Sequence, residues 1–176
     1  MKSAPENSKV GKNFTSCQLI GEIIDLFQAG THTTSTTIRW ALLYLIPHQE
    51  IQERVRAEIK QMIGKDRIPT LTDKPDLPYC EATIMEVLRI ANIAPIALPR
   101  DTSLDGFHIP KSTILIANID SVLSDLVLWN EPHKFHPERF MKTDGSLEKL
   151  DGFIPISIGR RVCLGESLAR MELFLS

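Results

Sequence analysis

Cysteine is scarce: the 176 residues hold three, Cys17, Cys80 and Cys163. An odd number at wide spacing is a poor disulfide framework and suits a reducing compartment. None of the three falls in a Cys-x-x-Cys or Cys/His zinc spacing, which argues against a structural zinc. Long apolar runs are missing as well. The longest, Trp40 to Ile46, is far short of the ~20 residues that a spanning helix needs. The polar stretch Met1 to Asn13 lacks the apolar centre of a signal peptide. A membrane anchor, if the protein has one, is therefore expected outside this sequence. Charge of one sign is not in excess either: a net charge of −2 gives no general attraction to nucleic acid. There is no internal repeat and no low-complexity tract.

What is present is enough apolar residues for a core, 43% of the chain, at a length suited to one domain. Residues 1–15 read as a flexible lead-in and 16–176 as the folded part. From Ser16 to Leu45 apolar residues recur at helical spacing, and Pro47 ends the pattern, predicting one helix of about 30 residues. Apolar residues surround much of this helix, which predicts that it is buried. A second amphipathic helix carries Ile51, Val55, Ile59 and Met62 and stops at Gly64. A third runs from near Pro78 to about Ile90. Beyond Pro69 prolines become frequent and the segments short. Phe107–Ile109 and Thr113–Ala117 read as a hairpin around Pro110. A short helix is expected around Ser121 to Asp125, then an irregular stretch from Trp129 to Ser157. A last helix begins just after Cys163.

The segment around Cys163 carries the most chemistry. Gly159 and Gly165 let the backbone approach a flat ligand closely. The unpaired amides and dipole of a helix start, with Arg160 and Arg161 nearby, favour the thiolate form that a metal ligand needs. A second constellation is Glu86 and Arg89, three apart on a predicted helix and so on one face. Such pairs are most often surface ion pairs of little energetic weight. A third is Gly30-Thr31-His32-Thr33-Thr34 within the long helix. Glycine and β-branched residues weaken a helix there, and hydroxyls can bond to backbone carbonyls and bend it.

These motifs together resemble the cytochrome P450 family, and they occur in the family's order from about Phe27 to the end. Gly159, Arg161, Cys163 and Gly165 match its cysteine loop, with Ile156 where the family has an aromatic residue. The continuation Glu166 to Phe174 resembles the microsomal drug- and fatty-acid-oxidising branch. Ala29, Gly30 and Thr33 match the family's oxygen-groove motif, with His32 in place of the usual acid. Glu86 and Arg89 match its Glu-x-x-Arg pair, and Pro137-Glu138-Arg139-Phe140 the segment that supplies a third member, Arg139.

The resemblance implies a mainly α fold with small β-sheets, a partial cytochrome P450 fold running from the long central helix to the start of the helix after the cysteine loop. It implies haem b with Cys163 as axial iron ligand, and Arg161 and Arg100 as propionate partners. Thr33 is then the alcohol that assists proton delivery to dioxygen, and His32 a proton relay of a different charge. Glu86, Arg89 and Arg139 form a buried network that holds the cysteine loop. The implied activity is monooxygenation of a lipophilic xenobiotic, fatty acid or steroid. Electrons come from an NADPH-dependent flavoprotein reductase, at the cytosolic face of the endoplasmic reticulum membrane. Arg160 is placed near the electron donor or in solvent. Two alternatives stay open: a truncated chain that binds haem weakly or not at all, and a haem-thiolate enzyme that rearranges peroxides without an electron donor.

Overall fold

The computed structural model describes residues 15–93, 96–98, 102–110, 113, 115–159 and 162–176. The lead-in 1–14 and the candidate residues Arg100, Arg160 and Arg161 lie outside the described residues.

Helix α1 spans Ser16–Leu45, 30 residues, opened by a capping box in which the Gln18 amide donates to Thr15 Oγ1 at 3.2 Å and the Thr15 amide to Gln18 Oε1 at 3.3 Å. Such reciprocal bonds satisfy donors that a helix start leaves free. Helix α2 is Gln49–Met62, and α3 is Pro78–Ala91, with Pro78 in the first turn, where its missing N–H costs nothing. The short helix α4 is Ile119–Leu123 and the last helix, α5, is Glu166–Leu175. Two 3-10 helices, Leu71–Asp76 and Pro137–Phe140, complete the helical part. The first escaped the sequence reading, although Thr70 and Asp73 cap it reciprocally.

Four short strands form two antiparallel pairs: β1 (Ile96–Leu98) with β4 (Leu115–Ala117), and β2 (Thr102–Leu104) with β3 (Phe107–Ile109). The expected hairpin around Pro110 is thus corrected. Phe107–Ile109 pairs backward, in the register Leu104↔Phe107, Ser103↔His108 and Thr102↔Ile109. The reason is the turn Asp105-Gly106, both residues at positive φ (51° and 83°), which is the conformation a tight two-residue hairpin demands.

Helix α3 is the pillar of the core. On one side Ala82 packs with Ile119, Leu123, Trp129 and Phe140; on the other Tyr79 and Val87 pack with Ile51 and Phe135. The C-terminal part of α1 joins the second group through Trp40, Tyr44 and Leu45, with Tyr44 stacked on Phe135 at 5.3 Å. The N-terminal part does not join it. Leu19, Ile20, Ile23, Ile24, Leu26 and Phe27 are exposed, Phe27 to 73%, which corrects the expectation that the whole helix is buried. Among the described residues α1 meets α2, α3 and α5, and its buried and half-buried positions all follow His32.

Candidate functional site

Cys163 lies three residues before the first residue of α5, on a loop that closes on itself. Its amide donates to the Ile156 carbonyl at 3.3 Å, and within that closure the Val162 amide donates to Gly159 at 3.2 Å. Two residues of the loop, Ser157 and Gly159, have left-handed backbone (φ 68° and 72°), a conformation that glycine adopts without cost. The Cys163 carbonyl accepts from the Glu166 amide at 3.3 Å, which joins the loop to the start of α5. A side chain added at Gly165 would meet the Cys163 sulfur at 3.9 Å, so glycine leaves that side of the thiol open.

The thiol is exposed, and so are the large apolar residues near it in sequence: Ile158, Val162 and Leu164, the last to 95%. A loop that exposes three large apolar side chains suits a binding surface. An exposed thiol beside Gly165, on a loop with exposed apolar residues, offers a soft sulfur ligand that a flat apolar group can approach. These residues therefore fit a haem held through cysteine. Behind the loop a cleft of about 460 Å³ is lined by Met85, Leu150, Phe153, Ile158, Gly159 and Val162, among others. The other two cysteines stand elsewhere. Cys17 is exposed on the first turn of α1. Burial, then the Glu58 carboxylate, push the Cys80 thiol up to about 11.

On α1 the Gly30–Thr37 stretch is helical throughout, without a break. Its hydroxyls turn back onto the helix: Thr33 Oγ1 donates to the Ala29 carbonyl at 2.6 Å, Ser35 to His32 at 3.1 Å, and Thr37 to Thr33 at 2.9 Å. Thr34 differs, donating to Glu172 of α5 at 3.2 Å. This bond ties the helix that carries Thr33 to the helix that follows Cys163. Ala29, Gly30 and His32 are exposed and Thr33 half-buried. Apart from the local helix backbone, nothing lies within 4 Å of where a Gly30 side chain would stand.

The structure brings Glu86, Arg89 and Arg139 together. Glu86 is fully buried and Arg89 is 1% exposed. Arg89 Nε donates to Glu86 Oε2 at 2.8 Å and its Nη2 to Oε1 at 2.9 Å, while Arg139 Nε reaches the same Oε1 at 3.2 Å. Two guanidinium groups face one carboxylate, and backbone carbonyls take the remaining donors. Arg89 donates to Leu123 and Pro132, both at 2.7 Å; Arg139 donates to Asn130, Glu131 and Lys134. The backbone that the network grips is thus the irregular stretch from Leu123 to Lys134. Contact with the cysteine loop runs through aromatic rings. Trp129 lies beneath Arg89 and packs on Phe140, which meets Phe153 at 4.9 Å beside the loop.

A residue the sequence reading passed over, Glu138, lies next to Arg139 and faces the other way. It accepts from Arg54 of α2, from the Tyr79 hydroxyl of α3 at 2.9 Å, and lies 3.1 Å from His136 Nδ1. Burial pushes its carboxyl up, but its own backbone amide, Tyr79 and the Arg54 charge more than offset that, leaving it below the usual carboxylate range. Nothing in a lone Glu at this position signals three converging partners.

The sequence that builds this helical domain is also similar to known proteins. The cytochrome P450 family model matches residues 1–176. Rat (Rattus norvegicus) cytochrome P450 2D1 is 49% identical over 99% of this chain and 34% of its own length. Bovine (Bos taurus) cytochrome P450 2U1 is 51% identical over 86% of this chain and 28% of its own length. The chain belongs to the cytochrome P450 family. Its fold is a partial cytochrome P450 fold, and it spans about a third of the length of the relatives it matches.

Proposed function

We propose that this chain is the haem-binding part of a monooxygenase. The enzyme inserts one oxygen atom of dioxygen into a lipophilic substrate, a xenobiotic, fatty acid or steroid, and releases the other as water. The observation that carries the reading is the exposed Cys163 thiol on a closed loop with exposed apolar residues, framed by Gly159 and Gly165. Haem b, when bound, supplies the activation of dioxygen and the oxygen transfer, and thiolate ligation favours that chemistry.

The chain's own residues hold and orient. Cys163 is the ligand, kept in place by the hydrogen bond from its amide to the Ile156 carbonyl. Ile158, Val162 and Leu164 offer exposed apolar surface that a bound haem would cover. Arg161 and Arg100 neutralise the propionates. Thr33 holds a proton at Oγ1, bonded at rest to the Ala29 carbonyl, and releases it toward the open face above Gly30. His32, exposed on the same turn, replaces the family's acid as the group that resupplies that proton. Electrons come from an NADPH-dependent flavoprotein reductase, and the site of action is the cytosolic face of the endoplasmic reticulum membrane.

The test is turnover. The haem-loaded chain, mixed with reductase, NADPH and lauric acid as probe, is expected to form a hydroxylated product that disappears in Cys163→Ser. A second reading has one observation in its favour: the uncovered apolar face from Leu19 to Phe27. On that reading the chain binds haem without turnover because its described elements do not enclose a substrate. A thiolate-type spectrum with no product selects it.

A further inference from the structure

We infer that Glu138 is a positioning residue: it pins the Pro137–Phe140 helix between α2 and α3 so that Arg139 and the His136 amide reach Glu86. This rests on the haem-binding reading for its consequence, since the network it serves packs through Trp129, Phe140 and Phe153 toward the Cys163 loop.

Glu86 Oε1 accepts three hydrogen bonds, and two come from one short segment: Arg139 Nε at 3.2 Å and the His136 amide at 3.0 Å. Both depend on the depth at which that segment lies. Arg139 lies in the 3-10 helix, where successive positions differ by about a third of a turn, so Glu138 points away from Glu86 while Arg139 faces it, and the non-helical N-cap His136 turns its backbone amide to Glu86. There Glu138 meets three partners from three places: Arg54 on α2, Tyr79 on α3 and the His136 ring. The Arg54 guanidinium also lies 3.9 Å from the centre of the Tyr79 ring, so the clip closes on itself. Arg89 needs no such help, because it sits on the same helix as Glu86 and reaches it across one turn.

That asymmetry supplies the test. In the haem-free chain, Glu138→Ala speeds solvent exchange of the Arg139 Nε–H and the His136 amide about tenfold, while the Arg89 Nε–H keeps its protection. General loosening of the core would release both arginines together. Glu138→Gln, which keeps an acceptor for Tyr79, restores most of the protection and guards against a variant that fails to fold. With haem added, Glu138→Ala lowers the affinity for haem about tenfold, within the range seen when a supporting residue of a metal site is lost. Unchanged exchange at Arg139, or equal loss at Arg89 and Arg139, overturns the assignment. If the unsubstituted chain binds no haem through Cys163, the functional reading fails, and the exchange pattern still decides the role of Glu138.

Discussion

The Arg139 Nε lies 3.2 Å from Glu86 Oε1, a contact between side chains 53 residues apart in a site where Glu86 has no solvent access. The carboxylate is shared with Arg89, so removing it leaves two guanidinium groups buried without a counter-charge. Breaking a buried pair by deleting one partner costs about 3–5 kcal/mol. Glu86→Ala is therefore expected to lower unfolding stability by that order and to abolish haem incorporation, read by urea unfolding and haem-to-protein ratio. Arg139→Lys should also lower both, because an ammonium cannot span Glu86 and the carbonyls of Asn130, Glu131 and Lys134 together. Normal haem content in Glu86→Ala contradicts the role given to the network.

Cys80 sets a pH limit. Its thiol titrates near 8.5 in an unfolded chain and at about 11 in the fold, raised by burial and then by Glu58. The folded form thus keeps a proton that the unfolded form has lost. The contribution is present in full below about pH 8.5 and is lost as pH rises to about 11. The urea midpoint should fall between pH 8 and pH 10.5, and fall less in Cys80→Ala. Alkylation at pH 8 should reach exposed Cys17 well before Cys80. Equal rates contradict the burial of Cys80.

His32 can be given back the family's acid. In the haem-loaded chain with reductase, His32→Asp is expected to raise product formed per NADPH consumed several-fold, and Thr33→Ala to lower it, with little change in haem content. A ratio that His32→Asp leaves unchanged removes position 32 from proton delivery.

The hairpin Thr102–Ile109 turns on Gly106 at φ +83°. Gly106→Ala places a Cβ in left-handed backbone and should cost about 1 kcal/mol of stability. Because β2 and β3 pair only with each other among the described residues, haem affinity should stay within about twofold of the unsubstituted chain. Loss of haem binding contradicts that separation.

Much of this was legible in the sequence. Helical spacing from Ser16 and the stop at Pro47 gave α1 its length, and Glu86 and Arg89 could be paired because three residues make nearly one turn. The depth of that pair was legible only through the family pattern, since spacing alone cannot tell a buried pair from a surface one. Pro110 is a weaker hairpin signal than Asp105-Gly106, the turn whose backbone twist suits paired strands. Burial of α1 was over-read, because periodicity reports which face is apolar and not whether anything covers it. Glu138 was missed since its partners Arg54 and Tyr79 are distant in sequence.

The central claim is that Cys163 is the haem ligand. Mixing the purified chain with haem, reducing it under carbon monoxide and recording the difference spectrum beside Cys163→Ser tests it most directly. The account predicts a red-shifted thiolate-type band that vanishes in Cys163→Ser. An identical spectrum from both proteins, or a band that survives the substitution, contradicts it.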